Sequence, residues 1–331
     1  MTGRAGGAGV VPEPGALVHP PDRPTLLPEG HTNAVGLTLG LVGDEWNLLI
    51  LRYALLGVRR YGEWRAALPI SHAVLTRRLA HLTEMAIFER VGYEGTANRF
   101  EYRLSRRGRD LWPILLSIWG WESAWVPSHG ESLPRMLHRR CGREFLPVLT
   151  CAACRRPVRP RDVVGGFGPS GTWERSVPMA TTRRRSGPTG EAGAGMFPET
   201  MALIGNRWSA AILGGAFQGL HRFRDFEQRL GAPPTIVAER LRVFCELGVF
   251  EQTPSAERSD WLSYHLTDKG RAFFPVVISA IDWGQRWFTA PEGPALLYTH
   301  RPCGHPFHTQ LTCATCTTPL RGNEITARHP S

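Results

Sequence analysis

The feature that most constrains this chain is a long internal repeat. Shifting the 331-residue sequence so that Gly43 falls on Gly205 aligns residues 43–161 with residues 205–323 without an insertion or deletion. Trp46 then matches Trp208, and HRRCG…LTCAAC matches HRPCG…LTCATC at the end of the alignment. Self-similarity at one fixed interval is typical of a structural unit that is built more than once. The sequence therefore predicts a tandem duplication of one unit.

Each unit has the pattern of a winged helix-turn-helix. In the first copy, apolar residues recur at helical spacing in EWNLLILRYALLG and stop at Gly57. A short helix and a tight turn follow, and then a longer helix with Ser71 as its N-cap. Its predicted buried stripe is Leu75, Leu79 and Leu82, or Val237, Leu241 and Phe244 in the second copy. Two β-prone runs then predict a hairpin, and a long Trp-rich helix ends the unit. The predicted fold is α+β and mainly helical, with two winged helix-turn-helix domains that are each followed by a small C-terminal zinc ribbon.

These motifs resemble the HxlR-type transcriptional regulators of bacteria. The shared features are the Gly-x-x-Trp start at Gly43, the Ser-x-x-x-Leu-Thr-x-Arg-Leu recognition helix from Ser71, and the Tyr-x-Leu-(Ser/Thr)-x-x-Gly wing end at Tyr102 and Tyr264. The resemblance covers roughly residues 33–126 and 196–288, and it is looser in the second copy. Members of this family generally bind DNA as homodimers, with one recognition helix from each subunit. The resemblance thus implies a DNA-binding regulator in which one chain acts as a fused pseudo-dimer.

The two recognition helices present different side chains to DNA. The outward positions are His72, Ala73, Thr76 and Arg77 in the first copy, and Pro234, Thr235, Ala238 and Glu239 in the second. Arginine and threonine suit base edges and phosphates, whereas a glutamate repels phosphate unless it accepts a hydrogen bond from cytosine. The predicted DNA-binding residues are Ser71, His72, Thr76, Arg77, Arg78, Arg90, Arg99, Arg103, Thr235, Arg240 and Arg242. The alternative for these helix faces is an ordinary solvated surface. We therefore expect the two copies to bind DNA unequally, with the first copy making the stronger contacts.

Six of the seven cysteines belong to a motif that occurs twice. His138-x2-Cys141-x9-Cys151-x2-Cys154 recurs as His300-x2-Cys303-x9-Cys313-x2-Cys316. Three thiolates and one imidazole are the ligands of a closed structural zinc site, so we expect two Zn²⁺ ions per chain, each held within its own copy. A thiol redox switch and an iron–sulfur cluster remain alternatives. His305 and His308 are alternatives to His300 as a ligand, but only His300 aligns with a histidine of the first copy, His138. Cys245, the seventh cysteine, is expected to pack in a core.

Outside these motifs, the composition indicates flexible connections and a basic surface. We expect a disordered head over 1–32, winged domains over 33–126 and 198–288, zinc ribbons over 127–161 and 289–325, and a flexible basic linker over 162–197. The formal net charge is +10, and residues 127–197, with 12 arginines against 5 acids, carry +7 of it. A basic balance favours an acidic partner such as double-stranded DNA. Only Lys269 is a lysine, so a GC-rich genome also explains the arginine excess.

Several function classes remain open. The leading hypothesis is a sequence-specific transcriptional regulator; the alternatives are a zinc- or thiol-sensing regulator and a protein-binding scaffold that does not read DNA. No phosphate loop or nucleophile–base motif suggests an enzyme, and no signal peptide or membrane span is apparent, so we expect a cytoplasmic protein without a membrane partner. The long helices, with Trp112, Trp119, Trp121 and Trp125 in one copy and Trp283 and Trp287 in the other, predict packing between the halves. A small-molecule effector pocket at these helices and a homodimer of chains are further possibilities.

Overall fold

The computed structural model describes residues 20, 22–92, 100–130, 133–178, 197–254 and 262–328. The first winged unit comprises β1 (Thr25–Leu26), α1 (Ala34–Val42), α2 (Glu45–Leu55), α3 (Tyr61–Ala67), α4 (His72–Glu84), β2 (Phe88–Gly92), β3 (Phe100–Leu104), α5 (Arg106–Arg109), α6 (Trp112–Trp125) and α7 (Pro127–Gly130). The cysteine-containing segment that follows comprises β4 (Arg135–His138), β5 (Arg143–Glu144), β6 (Pro147–Cys151), a 3₁₀ turn (Pro160–Asp162), β7 (Val163–Phe167) and α8 (Trp173–Ser176).

The second copy repeats this order. Its winged unit comprises α9 (Pro198–Ile204), α10 (Arg207–Phe217), α11 (Phe223–Leu230), α12 (Pro234–Glu246), β8 (Phe250–Pro254), β9 (Leu262–Leu266), α13 (Asp268–Ala272) and α14 (Phe274–Trp287). The remaining elements are β10 (Phe288–Thr289), β11 (Leu296–His300), β12 (Thr309–Cys313), a 3₁₀ turn (Gly322–Glu324) and β13 (Ile325–Arg328). The described residues thus form a mixed helix and strand fold with two winged units.

Local sequence accounts for the winged units. The Asp44 carboxylate accepts from the Asn47 amide and caps α2, and the Ser71 hydroxyl accepts from Val74 and caps α4. The predicted apolar stripes are confirmed, since Leu75, Leu79 and Leu82 are buried, as are Val237, Leu241 and Phe244. Both predicted hairpins form, with β2 antiparallel to β3 and β8 antiparallel to β9. Each unit therefore has its own apolar core beneath its recognition helix.

Reciprocal contacts join the two copies around the long helices. Helix α6 packs against α14, as the Trp-rich pattern predicts. The indole nitrogen of Trp121 donates to the carbonyl of Lys269 at 3.0 Å, and that of Trp283 donates to the carbonyl of Arg107 at 3.1 Å. Trp283 is the repeat partner of Trp121, and Lys269 is that of Arg107, so each copy makes the same contact to the other. This reciprocity is that of an isologous, two-fold interface.

The cysteine-containing segments are not two separate ribbons, because their strands are exchanged. Strand β6 pairs antiparallel with its own repeat β12, and Leu149 lies opposite its repeat Leu311 at the centre of the pairing. Strand β4 pairs with β13 from the second copy, while β11 pairs with β7 from the first. The separate domains predicted over 127–161 and 289–325 therefore differ from the observed structure, in which each copy completes the sheets of the other.

Parts of the predicted disordered head and flexible linker are ordered. In the head, Thr25–Leu26 pairs in parallel with Phe288–Thr289. The buried Arg107 guanidinium holds this strand, donating to the carbonyl of Arg23 at 2.8 Å and to the Thr25 hydroxyl at 3.0 Å. In the linker, residues 163–167 form β7, and α8 packs against α1 of the first unit and α11 of the second. Residues 1–19, 21 and 179–196 lie outside the described part of the chain.

None of the described helices is by itself long and apolar enough to cross a membrane. Helices α1 and α2 reach that length and composition only together, as a pair bent by 79°.

Candidate nucleic-acid interface and metal centres

The exposed face of α4 carries a small polar cluster at its N-terminal end. The predicted positions His72, Thr76 and Arg77 are all exposed there. Tyr61, from α3, adds a side chain that the sequence pattern did not single out: its hydroxyl lies 3.0 Å from His72 Nδ1 and 3.3 Å from Thr76 Oγ1. Its ring also stacks on the imidazole, with 5.9 Å between the ring centroids. Tyr61 thereby fixes the rotamers of two side chains at the face that enters a major groove in proteins of this architecture.

Arg78 does not belong to this face, which corrects its assignment as a DNA-binding residue. Its Nη2 lies 2.6 Å from Asp44 Oδ2, and the two side chains are only 10% and 4% exposed. Helical geometry explains the difference, because position 78 follows Leu75 by three residues and shares its inward side. Burial raises the pKa of the Asp44 carboxyl, and the Arg78 guanidinium opposes that rise. Arg78 thus stabilises the domain by compensating a buried carboxylate.

The first wing offers two exposed arginines among the described residues. The Arg90 guanidinium lies 3.5 Å from the centroid of the Phe100 ring. Arg103 Nη2 lies 3.2 Å from Glu101 Oε2, and half of the Arg103 side chain remains exposed. The carboxylate partially neutralises Arg103, so Arg90 is the freer cation for a phosphate. Arg99, the third predicted wing contact, lies outside the described residues.

The second recognition helix presents a less basic surface. Thr235 is exposed, but Pro234 and Ala238 stand where the first copy has His72 and Thr76. Arg240 pairs with the neighbouring Glu239, and Arg242 pairs with Glu246 one turn further along. Phe223 occupies the position of Tyr61, so the polar cluster of the first copy has no counterpart here. The expected inequality of the two faces is visible in these side chains.

The cysteines and histidines form two four-ligand clusters, but each cluster combines both copies. One consists of His138, Cys141, Cys313 and Cys316, and the other of Cys151, Cys154, His300 and Cys303. The predicted pairing within each copy is therefore wrong, although all eight predicted ligands are used. The strand exchange is the physical reason: the antiparallel pairing of β6 with β12 carries each Cys-x-x-Cys turn to the His-x-x-Cys turn of the other copy.

The dimensions of both clusters suit a tetrahedral metal. All four ligand atoms of each cluster lie within 4.8 Å of one another. His138 Nδ1 lies 3.4 Å from Cys141 Sγ and 3.3 Å from Cys316 Sγ, and His300 Nδ1 lies 3.2 Å from Cys303 Sγ. Zinc–sulfur and zinc–nitrogen bonds imply roughly 3.6 Å between tetrahedral nitrogen and sulfur ligands. The donor set and its spacing therefore fit Zn²⁺.

The surroundings of each cluster favour the thiolate of one cysteine, and a carboxylate lies beyond one of the two histidines. Hydrogen bonds from the side chain and the amide of Thr318 lower the pKa of Cys316 to about 6. The amide of Arg156 lowers the pKa of Cys154, the repeat partner of Cys316. Buried His138 turns its Nε2 towards Glu324, whose Oε2 is 3.7 Å away. A carboxylate beyond the histidine is a common outer partner of a metal-bound imidazole.

The remaining predicted candidates lie away from the two clusters. All seven cysteines are free of disulfides. Cys245 is half-buried against the apolar core, and burial raises its pKa. His305 Nδ1 donates to the Cys303 carbonyl at 2.9 Å, whereas His308 Nδ1 lies 3.1 Å from the Asp282 carboxylate of α14. His300, and neither His305 nor His308, is grouped with cysteines in a candidate metal site.

The comparison with family models identifies both winged units. A family model described as HxlR-like helix-turn-helix matches residues 41–130 and 203–292. Rv3095 of Mycobacterium tuberculosis (strain ATCC 25618 / H37Rv), described as an uncharacterized HTH-type transcriptional regulator, is 38% identical over 136 residues, which are 41% of this chain and 86% of that protein. YdzF of Bacillus subtilis (strain 168), described in the same words, is 35% identical over 89 residues, covering 26% and 82%. The crystal structure of PA1607, described as a candidate transcription factor, aligns with a TM-score of 0.35 at 33% identity over 41% of this chain and 93% of its own.

Proposed function

This chain belongs to the HxlR family of helix-turn-helix transcriptional regulators and carries the family domain twice, and from this premise we propose that it binds DNA as a fused pseudo-dimer. The family and its relatives are transcriptional regulators rather than enzymes. One chain supplies two recognition helices, so it covers a two-part operator without a second chain. Such a regulator acts on chromosomal DNA in the cytoplasm.

The observation that carries this proposal is the reciprocal interface between the copies. A dimer of separate chains would use the same contact twice, and here the Trp121–Lys269 and Trp283–Arg107 hydrogen bonds provide that pair within one chain. Because the copies are covalently joined, their association does not depend on protein concentration. The exposed faces of α4 and α12 are then held at a fixed separation, which a two-part site requires.

The two copies contribute unequally to DNA reading in this proposal. His72, Thr76 and Arg77 form the base-reading face of the first copy, with Ser71 as a further donor to phosphate and Arg90, Arg99 and Arg103 along the backbone. In the second copy, Thr235 and Arg242 remain as contacts, although Glu246 already engages Arg242. Arg240 is the repeat partner of Arg78, and its side chain is only 13% exposed and paired with Glu239, so it is not retained as a contact. The first half-site is therefore read more stringently than the second.

Two structural Zn²⁺ ions complete the proposed molecule. Each would be held by three cysteines and one histidine drawn from both copies, His138, Cys141, Cys313 and Cys316 in one site and Cys151, Cys154, His300 and Cys303 in the other. A closed four-ligand site leaves no open position for chemistry, so the ions contribute folding energy. Their role is to fasten the exchanged strands, and through them the two winged units.

Selection of bound fragments from genomic DNA, followed by titrations at several salt concentrations, tests the DNA-binding proposal. We expect an operator of two unequal half-sites, with one chain bound per operator by light scattering. The logarithm of the binding constant should fall linearly with the logarithm of the salt concentration, with a slope that corresponds to several phosphate contacts. Arg77→Ala should cost about 1–3 kcal/mol of specific binding, whereas Glu239→Ala should cost none because it removes a repulsive charge. Binding without sequence preference or salt dependence would contradict the proposal and favour a protein-binding scaffold.

A further inference from the structure

A large cavity lies beside α6, between the first winged unit and a strand from the second copy. Its volume is about 780 Å³. Its walls come from the end of α2 with the turn that follows it, from wing strand β3, from Trp112 and Trp119 of α6, and from Ile325 and Ala327 of β13. This size is within the range of cavities that hold a small organic molecule. Trp112 and Trp119 are two of the tryptophans for which the sequence suggested an effector pocket, whereas Trp121 and Trp283 are buried and form hydrogen bonds between the two copies.

The repeat provides an internal comparison, because the equivalent space in the second copy is nearly closed. That cavity has a volume of about 80 Å³ and is lined in part by the repeat partners of the same residues, including Val163 and Gly165 of β7, and in part by residues of the segment after β7, such as Trp173 of α8. Tyr298 fills it from the position that Met136 holds in the first copy. Gly165 makes room for the tyrosine ring, since a Cβ there would lie 2.1 Å from Tyr298 Cδ1; the first copy has Ala327 instead. Packing thus closes one of two related cavities and leaves the other open.

A partly buried cation lines the open cavity. Arg52 lines it, and its Nη1 is buried without a hydrogen-bond partner. Among the described residues, the guanidinium lies at cation–π range of two rings, 5.8 Å from the Tyr53 centroid and 5.9 Å from the Phe197 centroid. Burial accordingly lowers its pKa. In the closed cavity the equivalent position is Gly214, so the charge is present only where there is space for a ligand.

The other charged lining residues leave Arg52 uncompensated. Asp110 is the one acidic residue among the lining residues that the structure describes, and it faces Arg286 at 3.9 Å. Arg103 pairs with Glu101, and Arg109 donates to the Leu104 carbonyl at 2.8 Å. A buried guanidinium without an anion is costly, and a carboxylate can accept two parallel hydrogen bonds from it. The rest of the wall is apolar and aromatic, which suits a hydrocarbon body.

We propose that this cavity is a binding site for a small amphipathic carboxylate, whose anionic group pairs with Arg52 and whose apolar body lies against Trp112 and Trp119. The ligand would touch β3 of the first wing and β13 of the second copy at once. It would therefore contact both the DNA-binding unit and the exchanged sheet. Ligand binding itself does not depend on the proposed DNA-binding function and is measured without DNA.

Calorimetric titration of the full chain with three carboxylates and their neutral amides tests the site. The probes are 1-naphthoate, 4-phenylbenzoate and decanoate, each paired with its primary amide. We expect at least one carboxylate to bind about tenfold or more tightly than its amide, because a charged hydrogen bond is lost with the anion. In Arg52→Met this preference should fall to within about twofold, whereas Arg106→Met, at an exposed arginine outside the cavity, should keep it.

A cavity-filling variant provides a second, independent measurement. Met136→Tyr combined with Ala327→Gly copies the residues that close the cavity of the second copy, and it should abolish binding while the thermal unfolding midpoint stays near that of the parent. No binding of any of the three carboxylates at roughly 1 mM, the weak end of small-ligand affinity, would overturn the proposal. Equal binding of acids and amides, or retained preference in Arg52→Met, would overturn it as well.

Discussion

The Trp121 indole donates to the Lys269 carbonyl across the boundary between the two copies. Trp121 and its repeat partner Trp283 are both buried. Each indole donates to the short helix that comes just before the long helix of the other copy, α13 for Trp121 and α5 for Trp283. The acceptor is a backbone carbonyl in both cases, so the hydrogen bond forms whether the residue at this position is Arg107, as in the first copy, or Lys269, as in the second. Duplicated sequences can diverge at such positions without losing the interface.

Removing one indole donor should loosen the interface measurably. Trp283→Phe keeps the apolar ring but leaves the Arg107 carbonyl without this buried donor, so we expect a loss of about 1–3 kcal/mol in the free energy of unfolding. Trp112→Phe, in the wall of the large cavity, is the matched control and should cost less. Urea unfolding followed by circular dichroism measures both. Equal losses in the two variants would show that the indole hydrogen bond contributes nothing specific.

Arg78 should behave as a stabilising residue rather than as a DNA contact. Arg78→Met leaves the Asp44 carboxylate buried without its cation, and we expect a loss of about 3–5 kcal/mol in unfolding free energy. Adding Asp44→Asn, which copies Asn206 of the second copy, should restore most of that stability because asparagine caps the helix without a charge. Arg77→Met should change stability by less than about 0.5 kcal/mol and weaken DNA binding instead. A stable Arg78→Met with impaired DNA binding would contradict this assignment.

The contact between His308 and Asp282 should add stability only at low and neutral pH. The hydrogen bond to Asp282 raises the pKa of His308 above its usual value of 6.5, while Arg286 on the same helix opposes the rise. Because the pKa of His308 is higher in the folded state than in the unfolded state, the contact adds its full free energy of stabilisation below about pH 6.5. That stabilisation is lost as the pH rises through the pKa of the folded state. His308 is largely exposed, so the effect is a fraction of about 1 kcal/mol. Chemical unfolding of His308→Gln and the parent should differ most near pH 6 and converge at alkaline pH; a pH-independent difference would contradict the mechanism.

Local patterns in the sequence were sufficient to predict the winged units. Caps such as Ser71 and stripes such as Leu75–Leu79–Leu82 depend on neighbours within the same helix, and the structure confirms them. The repeat register also identified all eight residues of the two candidate metal clusters. These features are encoded within a few turns of chain, where spacing determines which residues share a face.

Long-range pairings could not be predicted in the same way. Either ribbon could complete its sheet with its own strand or with the equivalent strand of its repeat, and the two choices have similar local patterns. The inward turn of Arg78 and the anchoring of the head by Arg107 likewise depend on partners distant in sequence, Asp44 and Thr25. The contact of Tyr61 with His72 could not be predicted, because an aromatic residue at the start of a short helix has no sequence pattern that indicates a role. Its role is evident only from the packing of α3 beside α4.

The central claim is that the two copies share their metal sites, and zinc content in two crossed double variants tests it most directly. Cys141→Ser with Cys316→Ser removes two ligands from one observed cluster, so about one Zn²⁺ per chain should remain of the two expected. Cys141→Ser with Cys154→Ser removes one ligand from each cluster, so both ions should be lost or held far more weakly. Ligand sets confined to each copy give the reverse result, with no zinc in the first variant and about one in the second. That reversed pattern, in protein purified under reducing conditions without chelator, would contradict the exchanged arrangement.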